Sequence, residues 1–239
     1  MKLARAPAGG GIFASMRRVL LVLGLIAALA VPVHAGGKKD KRTMRTCFRA
    51  LTKLGVKFTA ADRRGIDMGV RVRSPLGGVT FKHFDDKPLI IDCSLAVSLA
   101  AAGRWLLEHG IDTAHYSDAY HVRNIRGTGK RSNHSYDLAI DIHSFTGDQL
   151  SLTIRDDYEQ GLGDSVDCIG QPLTQAGAVL RTLDCQLRRS GLFRFVLDPD
   201  YDANHYNHFH LEVVPWRERT DDPLAATVAS AGAPPTMAR

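Results

Sequence analysis

Hydrophobic residues recur at helical spacing in three segments of the chain. In each segment apolar side chains three or four positions apart form one stripe, and a glycine follows the last turn, where it commonly ends a helix. The pattern predicts helices over Thr43–Leu54, Ser94–His109 and Pro172–Ser190. The second is the clearest, and its apolar stripe is expected to pack against a sheet.

Shorter segments alternate apolar and polar residues, which is typical of strands with one buried face. Strands are predicted over Val70–Arg73, Val79–Phe81, Ala119–Arg126, Leu138–Phe145, Gln149–Ile154, Phe193–Leu197 and Phe209–Val214. Turn residues between the first and second strands, and between the fourth and fifth, predict two hairpins. Because strands and helices do not alternate as in a parallel βαβ fold, we expect an α+β domain with a small, mostly antiparallel sheet flanked by helices.

The N-terminal residues have the parts of a secretory signal peptide. Arg17 and Arg18 precede a thirteen-residue apolar run, residues 19–31, and the small-residue pattern ending at Ala35 fits a cleavage site. The run is shorter than the roughly 20 residues of a membrane span, so an uncleaved anchor is the less favoured alternative. Met16 is an alternative start, because it directly precedes the two arginines. The sequence therefore predicts a periplasmic or secreted protein with no membrane span after cleavage.

Composition divides the chain into four parts. The predicted signal peptide, residues 1–35, is followed by a basic linker over 36–42. Residues 43–217 are predicted to form one folded domain, which is large enough to bury its own core and is expected to be a monomer. Residues 218–239 are rich in alanine and proline and have few large apolar side chains, so they are predicted to be a disordered tail.

The basic character of the whole chain owes much to the predicted signal peptide. The formal net charge is +6 at pH 7, and four basic residues with no acid lie in residues 1–35, so removal of that segment leaves 6 − 4 = +2. A surplus this small gives little support to nucleic-acid binding, and no nucleic-acid partner is expected.

The four cysteines predict two disulfides, because an even number in an exported protein is typical of oxidised pairs. Three pairings are possible. Pairing of neighbours along the chain, Cys47 with Cys93 and Cys168 with Cys185, is the simplest of them.

Two histidine-bearing segments carry the candidate chemistry. His208 and His210 lie two apart on a predicted strand and therefore share one face, and Asp141 lies opposite the apolar face of another strand. His134 precedes that strand. A catalytic zinc site uses three ligands from His, Asp or Glu and keeps one position open for water. His143 shares the face of Asp141 and is an alternative ligand, and two histidines spaced in this way also occur without any metal.

The spacing of these residues resembles two related families. Ser132-x-His134-x-x-Asp137-x-Ala139-x-Asp141 is similar to the S-x-H-x-x-G-x-A-x-D signature of the LAS metallopeptidases, which cleave peptidoglycan. The segment His205-x-x-His208-x-His210 is similar to the closing motif of one branch, the murein endopeptidases. Residues 131–134 with 139–141, and residues 196–201 leading into His205, resemble the extensin-like C-terminal domain family more closely.

The resemblance implies a zinc site (Zn2+) with His134, Asp141 and His210 as ligands. It implies that His208 is the general base, and that the fold is the small α+β DD-peptidase, or hedgehog-like, fold. The expected function is that of an exported zinc metallohydrolase, in which zinc-activated water cleaves a peptide (amide) bond in peptidoglycan stem peptides. The alternative is a non-catalytic module on the same fold that binds zinc or a wall polymer.

The resemblance also assigns residues around the ligands. It implies that Arg131 and Ser132 contact the substrate or brace the ligands, and it places His205 near the site. Glu212, two residues after His210, is expected to support that ligand. Asp137 stands where the LAS signature has glycine; aspartate tolerates a positive φ better than most residues, but it adds a charge that could tune the site or disturb substrate entry.

Three arginines near the candidate site, Arg123, Arg126 and Arg131, could hold a stem-peptide carboxylate. For each of them taken singly, an ordinary surface position is the simpler interpretation.

Overall fold

The computed structural model describes residues 40–163 and 168–220. The predicted signal peptide and most of the predicted linker and tail lie outside these ranges. The helices are α1 (Lys41–Lys53), α2 (Cys93–Glu108), α3 (Ile154–Asp157) and α4 (Gln175–Arg189), and the 3-10 turns are η1 (Asn133–Tyr136) and η2 (Trp216–Glu218). The strands are β1 (Phe58–Ala60), β2 (Gly69–Val72), β3 (Thr80–His83), β4 (Ile90–Asp92), β5 (Thr113–Asp118), β6 (Ala139–Gly147), β7 (Leu150–Thr153), β8 (Phe195–Leu197) and β9 (Phe209–Glu212).

The described residues form an α+β fold with two sheets. The smaller sheet is antiparallel with the order β1-β2-β4. The larger has the order β3-β5-β6-β9-β8, with β7 also paired to β6. Only the β3–β5 pair of this sheet is parallel, so the larger sheet is mixed and the prediction of a mostly antiparallel arrangement holds. Within the described ranges, no helix is long and apolar enough to cross a membrane.

Helix α2 is the central element of the core, because almost every one of its side chains is buried. Asp92 begins the helix by accepting a hydrogen bond from the Ser94 backbone N–H at 2.8 Å. Gly103 allows a loop to lie directly on the helix, since a Cβ there would come within 2.6 Å of the Gly77 carbonyl oxygen. The predicted helix is thus confirmed, and it packs against β2 and β4 of the smaller sheet.

One predicted strand is wrong. Residues 119–131 form a loop closed by a bridge between Asn124 and Arg131, and the strand is the preceding segment, β5. The alternation that favoured a strand places Val122 and Ile125 at about half exposure instead of in the core. In β5 small and aromatic side chains fill the buried positions, which gave no clear apolar pattern.

The first predicted hairpin is also wrong. Strand β2 pairs with β1 and β4, and β3 pairs in parallel with β5 in the other sheet. Leu76 and Val79 form a tight reversal, and both are completely buried. Their burial against the core directs the chain away from β2, whereas the second predicted hairpin, β6–β7, is confirmed.

The ordered structure extends beyond both predicted ends of the folded domain. Asp40 accepts a hydrogen bond from the Arg42 backbone N–H at 2.9 Å, so α1 begins inside the segment predicted to be a linker. Near the other end, Arg219 donates to the Leu192 carbonyl at 2.9 Å and to Ser98 Oγ at 3.1 Å. The first residues of the predicted tail are therefore packed on the domain.

Two disulfides join neighbouring cysteines, as in the simplest predicted pairing. Cys47–Cys93 ties α1 to the start of α2, and Cys168–Cys185 ties α4 to the loop before it. Two disulfides fit a secreted or periplasmic protein, because such bonds persist in oxidising compartments.

Candidate metal centre

Three elements bring His134, Asp141 and His210 together. Asp141 on β6 and His210 on β9 are direct cross-strand partners in the antiparallel register. Strand alternation turns their neighbours Ile140 and Phe209 into the core, where both are completely buried. His134 approaches from η1, which lies just before β6.

The three donor atoms form a small triangle. His134 Nε2 lies 3.2 Å from Asp141 Oδ1 and 3.2 Å from His210 Nδ1, and the third side, from His210 Nδ1 to Asp141 Oδ1, is 2.8 Å. Zinc bonds of about 2.0–2.1 Å in a tetrahedral site separate ligand atoms by about 3.3 Å. The donor set and its size therefore fit a zinc ion, and in the described ranges it is the single group of three such side chains within reach of one ion.

The cluster is electrostatically coupled even without a metal. Burial disfavours the charged form of Asp141, but hydrogen bonds from His134 and His210 and the charge on their rings hold its pKa well below the ordinary value. Burial also opposes a charge on His210, yet its hydrogen bond to Asp141 and the nearby Glu212 carboxylate raise its pKa to about 9. In the metal-free protein the pair is thus an ion pair, and a metal must displace the His210 proton.

The turn that carries His134 is held by side-chain and backbone hydrogen bonds. Ser132 caps η1 by accepting from the His134 backbone N–H at 3.4 Å. Ser135 Oγ accepts from the Arg123 backbone N–H and contacts the carbonyl oxygens of His121 and Arg123 at 3.0–3.1 Å. Ser132 therefore stabilises the turn that carries His134.

Asp137 ends this turn in a left-handed conformation, with φ of +53°. Its side chain is completely buried and accepts a hydrogen bond from Arg63 Nη1 at 3.3 Å. Burial outweighs the favourable charge of Arg63 and raises the pKa of Asp137 to about 8. Because its side chain is completely buried, Asp137 presents no exposed carboxylate at the site.

His208 stands beside the triangle without belonging to it. Its Nε2 lies 3.5 Å from Asp141 Oδ1, and its Nδ1 is paired with the Asn207 side-chain oxygen at 2.9 Å. Burial lowers its pKa to about 4, so the ring is neutral at pH 7 and can accept a proton.

Glu212 and His205 lie around His210. Glu212 Oε2 is 3.7 Å from His210 Nε2, the ring nitrogen that points away from the triangle, so it is placed to orient this ring. His205 is fixed by a 2.7 Å contact between its Nδ1 and Asp202 Oδ1. Its ring centre lies 5.1 Å from that of His208 and 5.8 Å from that of His210.

The arginines of the 119–131 loop have different positions. Arg123 Nη2 lies 3.9 Å from Asp141 Oδ2 and 3.7 Å from Asp118 Oδ2, with 45% of its side chain exposed. Arg126 donates to the Asn204 side chain at 3.0 Å. Arg131 is exposed and makes no side-chain contact with the triangle among the described residues. Arg123 is therefore the arginine at the site, which sequence spacing alone could not single out.

His143, the alternative ligand, is not part of the triangle. Its Nε2 is paired with Ser117 Oγ at 2.7 Å, and burial lowers its pKa. Its ring centre lies 5.2 Å from that of His208. His143 therefore lies beside His208 and not among the three donor atoms.

The fold is an α+β domain, and the site is a buried His/Asp cluster that could hold a metal ion. The family model for the extensin-like protein C-terminus matches residues 45–220. The chain therefore belongs to the extensin-like C-terminal family. A comparison with curated proteins and one with solved structures find no match.

Proposed function

We propose that this protein is an exported zinc hydrolase that cleaves an amide bond in peptidoglycan stem peptides. The observation that carries the proposal is the triangle of three donor atoms with a neutral histidine at its edge. The similarity of its spacing to the LAS signature supports the reaction class. We further propose that the α+β fold is a variant of the DD-peptidase fold.

His134 Nε2, His210 Nδ1 and Asp141 Oδ1 would hold the metal. A zinc ion bound there supplies Lewis acidity and lowers the pKa of water toward 7. Asp141 contributes the negative charge, and Glu212 fixes the ring of His210 through its outer nitrogen.

His208 would accept the proton of the attacking water and pass it to the leaving amine. Its low pKa keeps the ring neutral, and the contact of its Nδ1 with Asn207 leaves Nε2 directed toward the triangle. A base in this position contributes about 10²–10⁴-fold to the rate in comparable enzymes.

Arg123 would bind a carboxylate or carbonyl of the substrate. Its contacts with Asp118 and Asp141 are long, at 3.7 and 3.9 Å, and its side chain is nearly half exposed, so an incoming carboxylate can form shorter bonds. Stem peptides of the wall offer such carboxylates outside the cytoplasm, where the two disulfides are stable.

The experiment that tests the function is digestion of purified peptidoglycan followed by mass analysis of the products. The wild type, saturated with zinc, is expected to release peptide fragments that identify the bond. The His208→Gln protein, which keeps all three donor atoms, is the matched control and should bind zinc yet release little product. Zinc binding without any product from the wild type would sink the hydrolase proposal in favour of the non-catalytic binding module.

A further inference from the structure

The outer face of α1 carries an uninterrupted cluster of positive charge. Lys41, Arg45, Arg49 and Lys53 are spaced four residues apart, so they form one row along the helix, and Arg42 lies beside the row. The row is about 18 Å long at 1.5 Å per residue. We call these five residues the basic row. The helix contains no acidic residue.

The basic row has few internal partners: the Asp40 carboxylate at the start of the helix interacts with the charge of Arg42. All five side chains are exposed, and within the described ranges none of them forms an ion pair or a side-chain hydrogen bond. Some exposed cations elsewhere on the domain do have carboxylate partners; Lys82 with Asp86 and Lys87 with Asp85 are examples. Five like charges on one face repel one another, because no acidic side chain among the described residues forms an ion pair with them. An anionic partner would reduce this repulsion.

Contacts made by other side chains of α1 hold the helix, and with it the basic row, in a fixed position on the domain. Cys47 is joined to Cys93 on α2, and Leu51 is completely buried beside it. The Trp216 indole N–H donates to Thr46 Oγ1 at 2.9 Å, which ties the helix to η2. The row is therefore a preformed surface, and binding to it does not require ordering of the helix.

The form of the row indicates a broad anionic surface and not a discrete ligand. No large apolar side chain is exposed on α1, so nothing on this face would insert into hydrocarbon. Lys38 and Lys39 precede the helix, and the apolar run of residues 19–31 ends nine residues before Lys41. This segment spans at most about 35 Å, so α1 stays close to the apolar run until the predicted cleavage after Ala35.

We propose that the basic row of α1 binds the phosphate headgroups of an anionic membrane surface. The attraction is electrostatic and peripheral, of about 1 kcal/mol for each Lys or Arg close to the surface, and it weakens as salt is raised. This surface is separate from the candidate metal centre, and the proposal does not rest on hydrolysis. Its consequence would be to hold the protein at the membrane while the rest of the domain stays accessible.

The test uses the protein purified after export, with its N-terminus read by mass spectrometry. Binding is measured by co-sedimentation with vesicles of phosphatidylcholine that contain or lack phosphatidylglycerol. The wild type is expected to bind only the anionic vesicles, and less as salt rises. Arg45→Gln/Arg49→Gln is expected to lower the partition coefficient roughly 30-fold, as expected for two charges at about 1 kcal/mol each.

The matched control is Lys82→Gln/Lys87→Gln, which removes the same number of positive charges from another exposed surface. It should leave vesicle binding within about twofold of wild type, and both double variants should melt cooperatively, as followed by circular dichroism. Equal losses in the two double variants would overturn the proposal, because net charge would then be the cause. Binding of the wild type to soluble polyphosphate but not to anionic vesicles would also overturn it.

Discussion

Two buried clusters of charged side chains in this protein differ in whether their donor atoms leave a position that a ligand could occupy. In the first, at the candidate metal centre, Asp141 faces imidazole nitrogens that converge on one point. In the second, which lies beneath α4, Arg188 bridges Asp184 and Asp198 with contacts of 2.9 and 2.8 Å. Tyr158 donates a further hydrogen bond to Asp198 at 2.9 Å.

The pKa values of the buried aspartates in the two clusters are shifted in opposite directions. Histidine donors and their charge hold the pKa of Asp141 down despite its burial, whereas burial raises the pKa of Asp184 to about 8 even beside Arg188. Arginine donates but cannot ligate a metal in its charged form, so the second cluster is a closed structural network. Buried charge alone therefore does not indicate a candidate metal site; donor atoms of histidine and aspartate that converge on one point do.

The largest expected difference between the clusters is in activity. Asp141→Ala removes one of the three donors and should lower peptidoglycan hydrolysis more than about 10³-fold, with loss of bound zinc. Asp184→Asn, a substitution at the buried aspartate of the closed cluster, should leave the activity within about threefold. Product release per unit time, measured at saturating zinc, checks both. Equal loss in the two variants would mean that the clusters do not differ in function.

His208→Gln separates the base from the ligands of the first cluster. The variant should retain wild-type zinc content and lose about 10²–10⁴-fold in kcat, because the proton acceptor is removed while the donor triangle is kept. Zinc analysis and steady-state kinetics on a released stem peptide provide the two readouts. If zinc is lost in parallel with kcat, His208 acts as a ligand and the assigned role is wrong.

Arg188→Ala should lower the free energy of unfolding, because it disrupts the second cluster. It leaves two buried carboxyl groups without their shared guanidinium, and a broken buried ion pair costs about 3–5 kcal/mol in the free energy of unfolding. Urea unfolding measures the change, and Arg188→Lys, which retains one charge, should cost less. Arg45→Ala, an exposed helical arginine, should change stability by less than about 0.5 kcal/mol. An unfolding free energy unchanged in Arg188→Ala would show that the network contributes nothing.

The same comparison predicts a pH dependence. The folded-state pKa of Asp184, about 8, lies above its unfolded value of 3.8, so the folded protein binds more protons between these values. The contribution of Asp184 to stability is therefore fully present below about pH 4, and this contribution is lost as the pH rises toward 8. Asp184→Asn should flatten the unfolding free energy between pH 5 and 8, by about 1–3 kcal/mol.

The raised pKa of Asp137 contributes with the same sign in both proteins, so the difference between wild type and Asp184→Asn isolates one group. Chemical unfolding at several pH values measures this difference. A wild type and a variant that depend on pH in parallel would contradict the assignment to Asp184.

The sequence predicts the fold and the candidate site best in segments where the hydrophobic periodicity is strong. The three long helices, the β6–β7 hairpin and the shared face of His208 and His210 follow from spacing, because helical and strand periods fix which side chains share a face. The family signature assigned the residues that the fold then brings together. These predictions needed only local information.

The remainder depended on contacts between distant segments. The buried reversal at Leu76 and Val79 and the parallel pairing of β3 with β5 are tertiary choices that a local pattern does not contain. The position of Arg123 beside Asp141 follows from the loop that Ser135 holds, and not from alternation. For the same reason, the closed cluster around Arg188 was not predicted at all.

The most direct test is the zinc content of the purified protein after dialysis against zinc and then against metal-free buffer, measured by inductively coupled plasma mass spectrometry. The wild type and Asp184→Asn should each retain one zinc ion per chain, and His210→Ala should retain less than about a tenth of that. A wild type without stoichiometric zinc, or a His210→Ala protein that holds as much zinc as the wild type, would contradict the assignment of the His134, Asp141 and His210 triangle as the metal centre.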